Sequence, residues 1–243
     1  MDQARLESNP GYSFDIFANN SDLSLLKKIF QTPHTTLANK ADWALGIVTG
    51  NNKKYVLDCK APGSEPLLTG KNIKKFLSTD PDNFIKFEPH NFQQVAPEEK
   101  FRAKEKLLYK FISKELIFSY DDKMTLTLNS ANILIPKIDN YPLKTILALF
   151  NSTLYQFIFQ KKFSTFKILR GDLEQLPLPI LNSETHNRIE SSVNKLLHQD
   201  ATANERLDRY NRLNDLIMDI FELKNHEQAY VKENVSLTTK SLR

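Results

Sequence analysis

Apolar positions change their period along this chain, and the changes divide it into segments. ETHNRIESSVNKLLHQ (184–199) places Ile189, Val193, Leu196 and Leu197 at helical spacing. NERLDRYNRLNDLIMDIFEL (204–223) does the same with Leu207, Tyr210, Leu213, Ile217, Ile220 and Phe221. The two stripes predict amphipathic helices, and the short join DATAN makes them an antiparallel hairpin. NHEQAYVKENV (225–235) predicts a short last helix. KELIFSYDDKMTLTLNSANILIP (114–136) alternates like a set of strands, with a turn at Asp121-Asp122. The stretch 141–160 is rich in apolar residues and predicts a buried helix. The two prolines of LEQLPLPIL (173–181) then force an extended passage.

Upstream the signals are shorter. DLSLLKKIFQ (22–31) predicts a helix packing through Leu25, Leu26, Ile29 and Phe30, capped by Asp22 or Ser21. WALGIVTGNNKKYVLD (43–58) has two apolar flanks around a polar centre, which predicts a hairpin with an exposed tip. APGSEP (61–66) is a loop by composition, and PLLTGKNIKKFL (66–77) starts extended and ends in a helical turn. PEEKFRAKEKLLYKFI (97–112) predicts a helix, with Pro97 near its first position and acids in its first turn. The expected fold class is α+β. A lead-in (1–40) precedes a sheet-containing body (41–181), C-terminal helices (182–235) and a disordered tail (236–243).

Composition narrows the class. The chain has 243 residues, 40 % hydrophobic and 26 % charged, which suits a globular protein with a real core. Six glycines argue against a glycine-rich nucleotide-binding fold. Cys59 has no second cysteine to pair with inside the chain, which points to a reducing compartment. The N-terminus lacks a signal-type apolar run. The greasiest stretch, 145–159, is short and broken by Asn151, Ser152 and Gln156, so a cytoplasmic location is expected.

Three patterns invite a catalytic reading. Asn9-Pro10-Gly11-Tyr12 is one residue away from the Asn-Pro-Pro-Tyr signature of amino-group DNA methyltransferases, but Gly replaces the second proline and no cofactor-binding strand precedes it. A turn is expected there instead. Asp82, Glu98 and Lys100 mimic the acid pair and lysine of metal-dependent nucleases, yet Pro97 favours a helix start over the required strand. The five histidines, at 34, 90, 186, 198 and 226, lack metal-ligand spacing. The chain alone is therefore read as carrying no catalytic residues, no metal and no cofactor.

Charge placement is more telling than the formal net charge of +4. Thr49, Asn51, Asn52, Lys53 and Lys54 fall at the first predicted tip. Lys71, Asn72, Lys74 and Lys75 follow in the next segment, and Lys161, Lys162, Lys167 and Arg170 come after the apolar helix, interleaved with Phe163 and Phe166. Lys100, Arg102, Lys104, Lys106 and Lys110 crowd the 97–112 segment. Any one such run is ordinarily a solvated face. Several in one body point to a polyanion: ammonium groups release counterions from phosphates, and asparagine amides read adenine edges. Double-stranded DNA is the expected partner.

LGIVTGNNKKYVL, PLLTGKNIKKF, KELIFSYDDKMTLTLNSANILIP, LKTILALFNSTLYQFIF and LEQLPLPIL, in this order, resemble the TaqI-like C-terminal specificity domain of adenine-N6 DNA methyltransferases and fused restriction–modification enzymes, over roughly residues 40–235. The resemblance implies a recognition module that grips duplex DNA opposite a methyltransferase domain or subunit. S-adenosylmethionine belongs to that other part, as does Mg2+ where a nuclease is fused. Those upstream domains are not seen in the sequence, so an excised or separately expressed module is expected. Two alternatives stay open: a helical protein-interaction module built on 184–223, and a small metal nuclease using Asp82, Glu98 and Lys100.

Overall fold

The computed structural model describes residues 18–163, 165–198 and 201–235. The Asn9–Tyr12 motif and the tail 236–243 lie outside them. The first helix, α1 (Asn20–Gln31), is capped by Asn19, whose side chain takes the Asp22 N–H while Asp22 takes that of Asn19. Asp22 thus reciprocates the cap rather than supplying it.

Two four-stranded sheets form the body. One has the order β2 (Ala41–Ala44), β9 (Ala131–Pro136), β6 (Lys106–Lys110), β7 (Phe118–Asp121), all antiparallel. The other has the order β3 (Val56–Leu57), β5 (Asn83–Ile85), β4 (Glu65–Leu68), β8 (Leu126–Thr127), with β4 and β8 parallel. A small ladder joins β1 (His34–Thr35) to β10 (Leu178–Pro179), tying the lead-in to the proline passage.

The first sheet lies between two cores because side chains alternate across it. Leu107, Tyr109, Phe118 and Leu134 face a helical core, while Leu108, Ile117, Ala131 and Ile133 face Leu67, Ile85 and Leu126 of the second sheet. The predicted helix over 97–112 is corrected on this ground. Only α3 (Glu98–Phe101) is helical. Lys106–Lys110 is a central strand, and a strand buried on both faces shows a continuous apolar run, Leu-Leu-Tyr, that imitates part of a helical stripe. Lys106 is fully buried, its ammonium 2.5 Å from the Asp121 carboxylate and 2.7 Å from the Phe101 carbonyl oxygen.

The hairpin predicted over 43–58 is also corrected. Its upstream flank pairs with β9 and its downstream flank with β5, so the two flanks never pair with each other. Its polar centre is a single helical turn, α2 (Asn52–Tyr55). Segment 66–77 begins in β4 as expected, and no helix follows it.

The helical layer follows the sequence closely. The apolar stretch is two helices, α4 (Leu143–Asn151) and α5 (Thr153–Lys162), broken where Ser152 leaves helical geometry and caps α5. The Asn151 amide accepts the Phe118 N–H (2.9 Å) and donates to its carbonyl (2.8 Å). Gln156 brackets Leu116 in the same way, at 2.7 and 3.0 Å. These two amides satisfy backbone groups in and just before the edge strand β7, which gains on the same side a single backbone bridge from Phe76. A short turn, α6 (Arg170–Leu173), leads to the proline passage. The hairpin α7 (Ser183–Leu197) and α8 (Ala203–Ile220) and the final α9 (Asn225–Glu233) form as the periodicity predicted.

Candidate nucleic-acid interface

The turn at 128–131 is where distant parts of the chain meet. Asn129 donates its backbone N–H to Ile47 (3.0 Å), and Leu128 donates to Leu68 (2.8 Å). Ser130 accepts the Gly70 N–H on its hydroxyl oxygen (2.9 Å) and the Phe111 N–H on its carbonyl (3.2 Å). Phe111 accepts from Ile168 (2.8 Å) and Phe166 accepts from Ser113 (2.8 Å), so 111–113 and 166–168 form a narrow antiparallel ribbon. Loop 49–54, loop 69–75 and this ribbon therefore all leave from one hub.

Glycine permits the convergence. A Cβ on Gly46 would sit 2.3 Å from the Leu128 carbonyl oxygen, and one on Gly70 would sit 2.7 Å from that of Ser130. Both positions need the missing side chain because backbone approaches backbone there.

In the first loop, the polar side chains fold the loop itself. Thr49 is buried; its hydroxyl donates to Asn52 Oδ1 (2.6 Å) and accepts the Asn51 N–H (3.1 Å). Asn51 Oδ1 accepts the Lys54 N–H (3.2 Å) and so caps α2. Lys53 and Lys54 remain exposed, with the Lys54 ammonium 4.9 Å from the Tyr55 ring centre.

The second loop divides its members. Lys71 is exposed but lies 2.7 Å from Asp82. That contact, then a hydrogen bond from Asn72 and one from the backbone, pulls the Asp82 carboxyl down to about 2. Asn72 is buried, accepting from Thr69 on Oδ1 (2.9 Å to N, 2.8 Å to Oγ1) and donating to the Asp80 carbonyl (3.1 Å). Its amide is committed to hydrogen bonds within the loop. Lys74 is partly exposed and close to Lys110, whose pKa falls through burial and then through repulsion by Lys74. Lys75 must be removed from the surface set. It is 1 % exposed, with its ammonium 3.2 Å from both the Asn151 carbonyl oxygen and the Tyr210 hydroxyl.

The third run is dispersed. Lys161 pairs with buried Asp22 at 3.0 Å, and the Lys162 ammonium lies 4.8 Å from the Phe30 ring centre, so both are drawn to α1. Arg170 is exposed and pairs with Glu174 (2.8 Å) one helical turn along. Lys167 is exposed on the ribbon, opposite Ile112. The nuclease-like trio does not assemble as its chemistry requires: Asp82 is held by Lys71, Glu98 by Arg102 (3.1 Å), and Lys100 donates to the Trp43 carbonyl (3.1 Å).

Ser130 and Ile112 gain a place at this edge that sequence reading did not give them, and Lys110, read there as part of a helical basic run, reaches it from the end of a strand. The signal for the last two was present in LLYKFI, once it is read as a buried strand running out into solvent.

Residues 65–178 match the TaqI-like C-terminal specificity domain, the middle of the span that the motifs suggested. A 75-residue stretch is 39 % identical to the type II methyltransferase M.VspI of Vibrio sp. (strain 343), covering 31 % of this chain and 18 % of that protein. The type IIL restriction–modification enzyme MmeI, solved in complex with DNA, superposes with a TM-score of 0.56 at 9 % identity, over 87 % of this chain and 37 % of that one. The HsdS subunit from Thermoanaerobacter tengcongensis gives a TM-score of 0.42 at 15 % identity, over 83 % of this chain and 51 % of that one. This chain thus spans 18 % of the length of M.VspI and 37 % of that of MmeI. The family resemblance stands: residues 65–178 match the TaqI-like C-terminal specificity domain, and the α+β fold is shared with a restriction–modification enzyme.

Proposed function

We propose that this chain is the target-recognition module of a restriction–modification system and binds duplex DNA along the edge organised by the 128–131 turn. One observation carries the reading: loop 49–54, loop 69–75 and the 111–113/166–168 ribbon, which bear Lys53, Lys54, Lys74 and Lys167, converge on that turn through backbone hydrogen bonds. Lys74 and Lys110 repel one another across this edge. A phosphate between them relieves that repulsion. The family match and the DNA held by MmeI support the same partner.

In this reading bond-making belongs to a methyltransferase domain or subunit, as the likeness to M.VspI suggests, and S-adenosylmethionine binds there. This chain supplies affinity and orientation. Phosphate contacts position the duplex, and base contacts from the same loops set the sequence preference.

The test is a titration of a labelled mixed-sequence duplex at several salt concentrations. Binding whose logarithm falls linearly with the logarithm of salt, by about 0.9 per phosphate engaged, is expected. Failure to bind at low salt, or binding indifferent to salt, refutes the reading.

A further inference from the structure

The ribbon formed by 111–113 and 166–168 carries an unusual surface. Ile112 is 67 % exposed and Phe166 63 % exposed, whereas Ile168 beside them is buried. An isoleucine and a phenylalanine so open to water gain nothing for the fold. The side chains around them are cationic: Lys167 opposes Ile112, the Lys114 ammonium lies 5.6 Å from the Phe166 ring centre, and Lys110 precedes the ribbon. Apolar tips ringed by cations suit a ligand that is polyanionic outside and apolar at particular inner points. Leu169, next along the chain, is 43 % exposed, and a protein or membrane surface still needs a broader apolar area than these three side chains.

Duplex DNA has that character in its major groove. The groove admits a two-stranded ribbon, its rims are phosphate, and each thymine projects a C5-methyl group into it. We propose that this ribbon enters the major groove and that Ile112 and Phe166 contact thymine methyl groups, giving the module a preference for A·T pairs at those positions. Lys110, Lys114 and Lys167 then meet the flanking phosphates. The inference rests on the duplex-binding reading above and names the element and the base edge it reads.

The experiment uses this chain and a pool of short randomised duplexes in which 5-iodouracil replaces thymine, so that iodine occupies the position of the methyl group. Irradiation followed by mass spectrometry is expected to locate an adduct on Phe166, and Phe166→Ala loses it. In the matching pool, replacing thymine by uracil weakens binding by the wild-type chain about fivefold, while the Ile112→Ala/Phe166→Ala double variant binds both pools alike. Salt-sensitive binding with adducts only on other aromatic residues, or with no uracil effect, overturns the ribbon assignment and leaves the duplex-binding reading in place. Absence of salt-sensitive binding overturns both. Both side chains are exposed, so the substitutions leave the cores untouched.

Discussion

The ammonium of Lys75 lies 3.2 Å from the hydroxyl of Tyr210, joining the loop after β4 to a C-terminal helix more than a hundred residues away. Lys74, its neighbour, points the other way, toward Lys110 and solvent. The next residue, Phe76, is fully buried with φ 73°, a conformation costly for a bulky side chain. Backbone bonds to Phe118 (2.8 Å) and Tyr120 (2.9 Å) hold it there. Lys75 is thus an inward anchor for a loop whose other lysines face out.

Lys75→Ala removes a buried cation 3.7 Å from the buried Glu115 carboxylate. Breaking one side of such a pair costs about 3–5 kcal/mol. Urea denaturation is expected to show that loss at an unchanged slope. An effect below about 1 kcal/mol, the range of exposed pairs, contradicts the anchor.

Asp82 restrains Lys71, and its titration reports this. The folded carboxyl titrates at about 2, below its ordinary 3.8. The contact therefore stabilises the loop fully above 3.8, and the stabilisation is lost as pH falls through about 2. NMR of the Asp82 carboxyl checks the midpoint, and Lys71→Ala raises it. Asp82→Asn removes an anion from the proposed interface and releases Lys71. Duplex affinity then rises, and the salt slope grows by up to about 0.9, one phosphate contact.

The close approaches at glycine make a separate prediction. Gly70→Ala forces its methyl against the Ser130 carbonyl oxygen, where 2.7 Å is available, while Gly171→Ala meets nothing within 4 Å. Overpacking of this kind costs about 1–3 kcal/mol. Thermal melts should show the loss for Gly70→Ala and little change for Gly171→Ala. Duplex binding weakens with the first variant because two cationic loops are pushed apart at their shared turn.

Lys53 and Lys54 extend from a loop that other side chains fold, so replacing both by Ala leaves stability within about 0.5 kcal/mol of the original. The same double variant lowers the salt slope by up to about two phosphate contacts. An unchanged slope removes this loop from the interface.

The sequence determined the elements whose evidence is local. The period of α7 and α8 is written in their stripes, the strands of 114–136 in their alternation, and the proline passage in a backbone restriction that no neighbour can lift. Tertiary structure decided the elements whose partners are far away. KLLYK is a strand because β7 and β9 flank it on both sides, and the flanks of 43–58 separate because each finds a better ladder elsewhere. It also sorted the cations. Lys53 and Lys71 look alike in sequence to Lys75 and Lys161, but a lysine's exposure is set by what packs over it, and only folding brought Tyr210 onto one and Asp22 onto the other.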